Sequence, residues 1–153
     1  MLRVETRNDI KGFPELDPDL TRQILEGAGA FLQDVWQPLN QVGDEEGCRL
    51  ENGVVRTPTG FGDAYRGYCE AGWDRLSAPA AFGGAGLPGV ISQAVSEMAS
   101  SANAALFHYP ALTNGACSSL ILTGAPWMLD NVVPRMVSGD WCGTMCLTEP
   151  HCG

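Results

Sequence analysis

The end of the sequence carries the side chains with the clearest capacity for metal chemistry. Cys142 and Cys146 are followed by His151 and Cys152. Thiolate and imidazole are common zinc ligands, but the set Cys-x3-Cys-x4-His-Cys as a whole is not one of the usual zinc arrangements. Residues 140–148 favour a strand, in which Cys142 and Cys146 would lie about 13 Å apart at ~3.3 Å per residue. We therefore predict no metal site at these residues.

The six cysteines are better explained as free thiols. The first ten residues contain no apolar segment like the core of a secretory signal peptide. Without such a signal we expect a reducing, cytoplasmic location, in which disulfides are rare. Small thiols are also among the side chains most often buried in protein cores. The prediction covers all of them, at positions 48, 69, 117, 142, 146 and 152.

Charge and length exclude several classes of partner. The chain has 153 residues, with 18 acidic and 9 basic side chains and a formal net charge of −9. This acidic balance argues against nucleic acid or an anionic membrane surface as the partner. No stretch approaches the roughly 20 apolar residues that a membrane-spanning helix needs. The length is sufficient for one domain with its own core.

A glycine-rich motif, GAGLPG at residues 84–89, matches the dinucleotide fingerprint G-x-G-x-x-G. That fingerprint requires a preceding strand and an acidic residue about 20 positions further on. Residues 77–82 do not resemble a strand, and no acidic residue lies near position 106. We therefore predict a glycine turn that leads into a helix rather than a dinucleotide site.

His108 and Glu97 are the remaining candidates for acid–base chemistry. His108 falls between two predicted helices, and no nearby serine or cysteine suggests a catalytic triad. Glu97 stands among apolar residues of a predicted helix. We interpret His108 as a buried or half-exposed histidine with its hydrogen bonds satisfied, and Glu97 as a solvated or capping carboxylate.

The elements that must position these residues are mostly helices. Apolar side chains recur at helical spacing, and Asp17-Pro18 is typical of a helix start. We predict an exposed loop over residues 43–60 and a strand over 140–148. The predicted helices cover residues 18–36, 62–76, Pro88 to about 100, 111–123, and 126 to about 138. The fold class is therefore mainly α, a bundle of about five helices.

The single predicted strand divides the chain into two parts. Residues 1–139 form the expected helical domain, and residues 140–153 form a first strand and turn of another domain. A lone strand leaves its main-chain groups without partners and does not fold stably by itself. We therefore expect this sequence to be the first part of a larger protein, truncated at the beginning of a β-domain.

Several segments of the sequence resemble the acyl-CoA dehydrogenase family. The stretch MCLTEPHCG is similar to the first half of a family signature, in which Thr-Glu-Pro continues through Gly into Ser/Thr-Asp. The other segments precede it in the chain and occur in family order and at family spacing. The two earliest of them resemble the 3-methylmercaptopropionyl-CoA dehydrogenase branch. They are residues 38–44, 47–53, 82–88, 96–99, 134–141 and 145–153. The resemblance covers nearly the whole chain from about residue 14.

The resemblance implies an FAD enzyme with an N-terminal helical domain, a middle β-domain and a C-terminal helical domain. It implies that the main chain of Met145, Cys146 and Leu147 and the hydroxyl of Thr148 contact the flavin. A flavin edge presents nitrogen and oxygen acceptors, which the N–H groups of a strand end can match. The residues His151-Cys152 depart from the small or amide residues that are common in the family. No catalytic residue is expected in this chain, since the base would lie beyond Gly153.

The resemblance also implies a substrate pocket. In the family, the segment after the helix that carries Glu-Met-Ala lines the acyl cavity, which here gives Leu106, Phe107 and Pro110. Bulky apolar residues there would shorten the cavity and suit a short or medium acyl group. The alternative is that these residues only fill the helical core.

The expected function of the full-length protein is that of an FAD-dependent acyl-CoA dehydrogenase. We expect this chain alone to be inactive. The substrate would be an acyl-CoA thioester, with 3-methylmercaptopropionyl-CoA as one candidate. The resemblance implies an electron-transferring flavoprotein as the electron acceptor, a homo-oligomeric full-length protein and a role in fatty acid metabolism. The alternative is a self-sufficient helical binding or interaction module without catalytic activity.

Overall fold

Helices account for most of the chain that the structure describes. The computed structural model describes residues 16–146, 148, 150 and 151. Within them the α-helices are α1 Pro18–Phe31, α2 Pro38–Glu46, α3 Phe61–Glu70, α4 Gly89–Ala102, α5 Ala104–Thr123, α6 Pro126–Asn131 and α7 Val133–Val137. A π-helical turn, Leu32–Trp36, joins α1 to α2, and a 3-10 turn, Ala80–Phe82, precedes α4. The prediction of a mainly α fold is confirmed.

The first predicted helix changes its winding before it ends. Asp17 caps α1 by accepting the N–H of Asp19 at 2.9 Å, and Pro18 occupies the first helical position. From Leu32 the chain widens into the π turn, in which the Gln37 N–H donates to the Leu32 carbonyl at 2.9 Å. The prediction of one helix over 18–36 therefore has the correct extent but misses the change of winding.

The predicted loop over residues 43–60 is wrong. Helix α2 continues to Glu46, and β1 Arg49–Glu51 then pairs antiparallel with β2 Val54–Arg56. Asn52 and Gly53 form the turn with φ of 52° and 78°, as a two-residue hairpin requires. The Asn-Gly pair was the signal for this hairpin, and the surrounding charges and glycines concealed it.

The main core lies where the π turn, α3, α4 and the start of α5 meet. Trp36 is buried there against Tyr68, with ring centroids 4.5 Å apart. Its indole N–H donates to the Ala64 carbonyl at 3.3 Å, which satisfies the one polar atom of the side chain. Leu106 packs in the same cluster.

Helix α5 begins seven residues before the predicted start at 111. Asn103 caps it by accepting the Leu106 N–H at 2.9 Å. Pro110 lies inside the helix and is buried there. A proline is disfavoured inside a helix because it lacks an N–H and crowds the preceding turn, which explains why the sequence pattern placed the start after it. Packing of the surrounding apolar turn outweighs that cost.

In place of the last predicted helix, the structure has two short helices, α6 and α7. Within the described residues we find no helix that could span a membrane. Val132 interrupts the helix with φ −100° between α6 and α7. Gly139 then turns the chain at φ +81°. Residues 142–146 and 148 belong to no sheet, and Leu147 lies outside the described residues. The predicted strand over 140–148 does not form here, because its main-chain groups have no partner strand among the described residues. The domain boundary after residue 139 stays a prediction.

Candidate functional site

A groove of about 690 Å³ is bounded by helices α4 and α5. Two of the side chains that line it, Cys117 and Val137, are apolar and buried. Polar side chains line its sides, as expected for a site that orients a ligand with a few polar groups. Among the lining residues are Ser92, Ser96 and Ser100 from α4, and Phe107, Ala111 and Asn114 from α5.

The three predicted substrate-pocket residues do not share one cavity. Phe107 lines the groove. Leu106 is fully buried in the main core and lines a separate pocket of about 200 Å³, together with Tyr65 and Cys142. Pro110 is buried within α5. Residues in successive positions of a helix point in different directions, so one segment cannot bring all three side chains into one cavity.

A second groove of about 690 Å³ lies on the other side of α4. It is bounded by α1, the π turn and α4, and Met98 and Leu32 line it. Glu97 borders both grooves and is exposed, in agreement with its interpretation as a solvated carboxylate. This second groove provides a comparison site for variants of the first.

His108 is part of α5 rather than of a connection between helices. It is exposed, and its Nδ1 lies 2.7 Å from the Ala104 carbonyl one turn earlier. The predicted hydrogen bond exists, with a partner in the same helix, but the prediction of a buried or half-exposed side chain is wrong. Neither the groove nor the smaller pocket includes His108 among its lining residues.

The glycine-rich motif is a structural turn, as predicted. The N–H of Gly84 donates to the Pro79 carbonyl and that of Gly86 to the Ala78 carbonyl. A Cβ on Gly84 would lie 2.0 Å from the Ala78 oxygen, so only glycine fits there. Because these amides already have partners within the chain, they form no cradle for a phosphate. The dinucleotide interpretation receives no support.

Asp74, which sequence analysis did not single out, is a titratable group at the groove. Its Oδ1 is shielded from solvent and has no hydrogen-bond partner among the described residues. Burial raises the pKa of Asp74 to about 6, and the Cys69 thiol and the Arg75 charge partly oppose this shift. The chain returns close to Asp74 at Gly139, where an added Cβ would lie 3.4 Å from Asp74 Oδ2.

The thiol of Cys69 is inert at neutral pH. Burial, with a contribution from the Asp74 charge, raises the pKa of Cys69 to about 12. Burial, and a hydrogen bond with Cys142, also raise the pKa of the neighbouring Tyr65. Since the thiolate is the reactive form of cysteine, this shift disfavours Cys69 as a nucleophile. Among the described residues, the free thiols are those of Cys48, Cys69, Cys117, Cys142 and Cys146.

The predicted flavin segment follows a point at which the chain is anchored to α5. The Gly143 N–H donates to the Thr113 hydroxyl at 3.0 Å, and that hydroxyl donates to the Tyr109 carbonyl at 2.8 Å. Beyond this anchor, Met145 is 63% exposed, and Cys146 and Thr148 are also exposed.

The chemistry of this segment fits the group that it is expected to bind. The main-chain N–H groups of Met145 and Cys146 and the hydroxyl of Thr148 have no hydrogen-bond partner among the described residues. Such free donors on an irregular, exposed segment suit an acceptor-rich ring edge. Leu147, the other residue predicted to contact the flavin, lies outside the described residues.

Comparison with known proteins agrees with the fold and with the sequence motifs. Residues 18–140 match the family described as "Acyl-CoA dehydrogenase, N-terminal domain". The chain is similar to a 3-methylmercaptopropionyl-CoA dehydrogenase from Ruegeria pomeroyi, with 40% identity over 144 residues, which cover 94% of this chain and 24% of the relative. It is also similar to a butyryl-CoA dehydrogenase from Syntrophomonas wolfei, with 35% identity over 156 residues, which cover 100% of this chain and 25% of the relative.

The extent of these matches defines what they show. The family match covers most of the chain, from α1 to the residue after Gly139. The chain spans about a quarter of the length of the curated relatives it matches. The helical body described above is thus the part that those longer proteins share with it, and the chain belongs to the acyl-CoA dehydrogenase family through the N-terminal domain of that family.

Proposed function

We propose that this chain acts as the N-terminal helical domain of an FAD-dependent acyl-CoA dehydrogenase. The observation that carries the proposal is the groove between α4 and α5, because Phe107, predicted from the family resemblance to line the acyl cavity, borders it. In this proposal residues 1–139 are the helical domain, and residues 140–153 lead into a middle β-domain.

The reaction is the removal of two hydrogens from the acyl group of an acyl-CoA thioester to give a trans-2-enoyl-CoA. A base removes the α-proton, and FAD supplies the acceptor for the hydride that leaves the β-carbon. We assign the base to no residue of this chain. The contribution of these residues is to bind the acyl group in the groove and to hold the flavin edge through Met145, Cys146, Leu147 and Thr148.

The substrate class follows from the groove and from the relatives. The two relatives are named for butyryl-CoA and 3-methylmercaptopropionyl-CoA, both with short acyl groups. In this proposal the acyl group lies against Phe107, Cys117 and Val137, which line the groove. We therefore propose a short or medium acyl-CoA as substrate, an electron-transferring flavoprotein as electron acceptor, and a homo-oligomeric, cytoplasmic protein.

Assay of the complete gene product tests this proposal. The protein is purified, its flavin absorbance is recorded, and reduction of a dye acceptor is followed with butyryl-, 3-methylmercaptopropionyl-, hexanoyl- and octanoyl-CoA. We expect bound FAD and turnover that is fastest with a short or medium acyl group. Absence of flavin, together with no turnover of any of these thioesters, would favour the helical binding module.

A further inference from the structure

Asn103 occupies the corner between the two helices that bound the groove. It is the single residue between the end of α4 at Ala102 and the start of α5 at Ala104. Its side chain is 1% exposed. A buried amide must have its donor and acceptor satisfied, and both ends of this one have partners.

The two ends of the Asn103 amide bind different parts of the fold. The Oδ1 accepts the Leu106 N–H at 2.9 Å and so caps α5, while Nδ2 donates to the Trp36 carbonyl at 3.3 Å. Trp36 is the last residue of the π turn, and α2 begins two residues later at Pro38. One side chain therefore joins the π turn to the beginning of α5.

The hydrogen bond to the Trp36 carbonyl explains why residue 103 is an asparagine. Serine, threonine or aspartate would cap α5 about as well as asparagine does. Of these common caps only asparagine carries an N–H that can also reach a carbonyl. A cap alone would not require this residue, whereas the link to Trp36 does.

The link acts on the groove through Phe107. The Phe107 N–H donates to the Asn103 main-chain carbonyl at 3.0 Å, so Phe107 belongs to the turn that Asn103 holds. Phe107 borders the groove, and its ring also packs against the main core around Trp36. A shift of the corner would move Phe107 before it moved Ala111 or Asn114, which lie further along α5.

We infer that Asn103 is a positioning residue that fixes Phe107 in the groove and thereby sets the acyl chain-length preference. The inference rests on the proposed function, since it concerns the acyl group in that groove. If Asn103 were only a cap, its loss would lower stability without changing which acyl group is preferred.

The test measures the ratio of kcat/KM for hexanoyl-CoA to that for butyryl-CoA in the complete gene product. This ratio is insensitive to the fraction of folded enzyme, because that fraction cancels. Asn103→Ser keeps a cap oxygen and loses the bond to Trp36, and we expect the ratio to rise about fourfold, as for one added buried methylene. Asn103→Asp keeps the shape and the cap but also loses the donor, and should shift the ratio in the same direction.

Two further variants separate positioning from stability. Asp17→Ala removes the cap of α1, far along the chain from the groove, and should lower stability while leaving the ratio unchanged. Phe107→Ala should raise the ratio by itself, and adding Asn103→Ser or Asn103→Asp to it should give no further rise. This non-additivity is the signature of a residue that acts through Phe107.

The outcomes distinguish the inference from the function on which it rests. If the unaltered protein turns over no acyl-CoA, the proposed function fails and the inference fails with it. If it turns over acyl-CoA and the ratio does not move in Asn103→Ser or Asn103→Asp, only the inference is overturned. An equal shift in the presence and absence of Phe107 would also overturn it. Should Asn103→Asp, which buries a carboxylate against the Trp36 carbonyl, not fold, Asn103→Ser alone decides.

Discussion

The Sγ of Cys142 lies 3.3 Å from the hydroxyl of Tyr65, and this hydrogen bond connects the segment after α7 to helix α3. The Gly143 N–H, one residue later, donates to the Thr113 hydroxyl on α5. Two adjacent residues are thus attached to two different helices. The exit of the chain from the helical body is therefore held in place up to residue 143, before the exposed residues of the predicted flavin segment.

Tyr65→Phe tests the first of these attachments. The change deletes one hydroxyl and leaves the ring, so we expect the free energy of unfolding to fall by about 0.5–1 kcal/mol, measured by urea denaturation. Amide hydrogen exchange at Gly143 should become faster. Tyr109→Phe is the matched control, since the Tyr109 hydroxyl has no hydrogen-bond partner among the described residues and its ring lies 6.2 Å from that of Tyr65. Equal exchange rates in both variants would contradict the anchoring role.

Gly139→Ala tests the close approach of the chain to α3. Gly139 has φ +81°, and a Cβ there would lie 2.5 Å from the Cys69 Sγ. Gly83 also has a positive φ, +89°, but a Cβ there would meet nothing within 4 Å. Gly83→Ala should therefore cost only the left-handed backbone penalty of about 1–2 kcal/mol. Gly139→Ala should cost about 1–3 kcal/mol more because of overpacking. Equal losses in the urea unfolding of the two variants would show that the contact with Cys69 relaxes freely.

Asp74→Asn tests the pH dependence of stability. The folded pKa of about 6 exceeds the ordinary value of 3.8. The stability linked to this group is therefore fully present below about pH 3.8 and is lost as the pH rises through about 6. Asp74→Asn cannot ionise, so the variant does not lose this stability as the pH rises. Because Asp74 is half-buried and solvent screens part of its charge, we expect a gain of about 1–2 kcal/mol at pH 8 and none near pH 4.

The control for Asp74→Asn corrects for the change in net charge. Asp44→Asn removes one negative charge from an exposed position of α2. Unfolding curves of both variants are measured from pH 4 to pH 8, and the difference between them isolates the effect of burial. A difference that stays constant over this range would contradict the raised pKa of Asp74.

The helices were predictable because their apolar residues repeat at helical spacing. The hairpin, the early start of α5 and the π turn were not predicted. Asn52-Gly53 was a local signal for the hairpin, and Asn103 was a local signal for the start of α5. Neither was recognised, because the neighbouring residues favour other structures. The early start of α5 was hidden by Pro110, since packing outweighs the local preference of proline. No local signal existed for the π turn at Leu32–Trp36.

The candidate site was less predictable than the fold because it depends on helix phase and on distant returns of the chain. The segment with Leu106, Phe107 and Pro110 was identified through the family resemblance, but only the structure separates the groove-lining Phe107 from the core residue Leu106. Asp74 is approached by Gly139, more than sixty positions later in the sequence. No pattern around Asp74 could reveal that contact.

Phe107→Ala tests whether the groove receives the acyl group. In the complete gene product, the smaller side chain should shift kcat/KM towards longer acyl-CoA substrates. Each additional buried methylene contributes about 0.8 kcal/mol. Met98→Ala is the matched control, because Met98 lines the second groove on the other side of α4. An unchanged chain-length profile in Phe107→Ala, or an equal change in Met98→Ala, would remove Phe107 from the acyl pocket.

Residues 1–153 alone should not retain FAD. Met145, Cys146 and Thr148 are exposed and belong to no sheet, so their donors are not held at the spacing of a flavin edge. Ordering them on binding costs roughly 1–2 kcal/mol per residue, and no other described residue is assigned to the cofactor. We expect the purified chain, incubated with FAD and desalted, to show no stoichiometric flavin absorbance and no acyl-CoA-dependent reduction of a dye.

Under the proposed function, the same segment should contribute to flavin binding in the full-length enzyme, and a pair of threonine variants tests this. In the complete gene product, Thr148→Val replaces a hydroxyl predicted to contact the flavin by a methyl group of similar size. Thr144→Val makes the same change four residues earlier, at an exposed position with no predicted contact. We expect Thr148→Val to lower the flavin retained after desalting, because a lost hydrogen bond to a bound ligand costs about 1 kcal/mol or more, and Thr144→Val to leave it unchanged.

A stoichiometric yellow complex of residues 1–153 that turns over an acyl-CoA would instead place the whole active site within this helical chain.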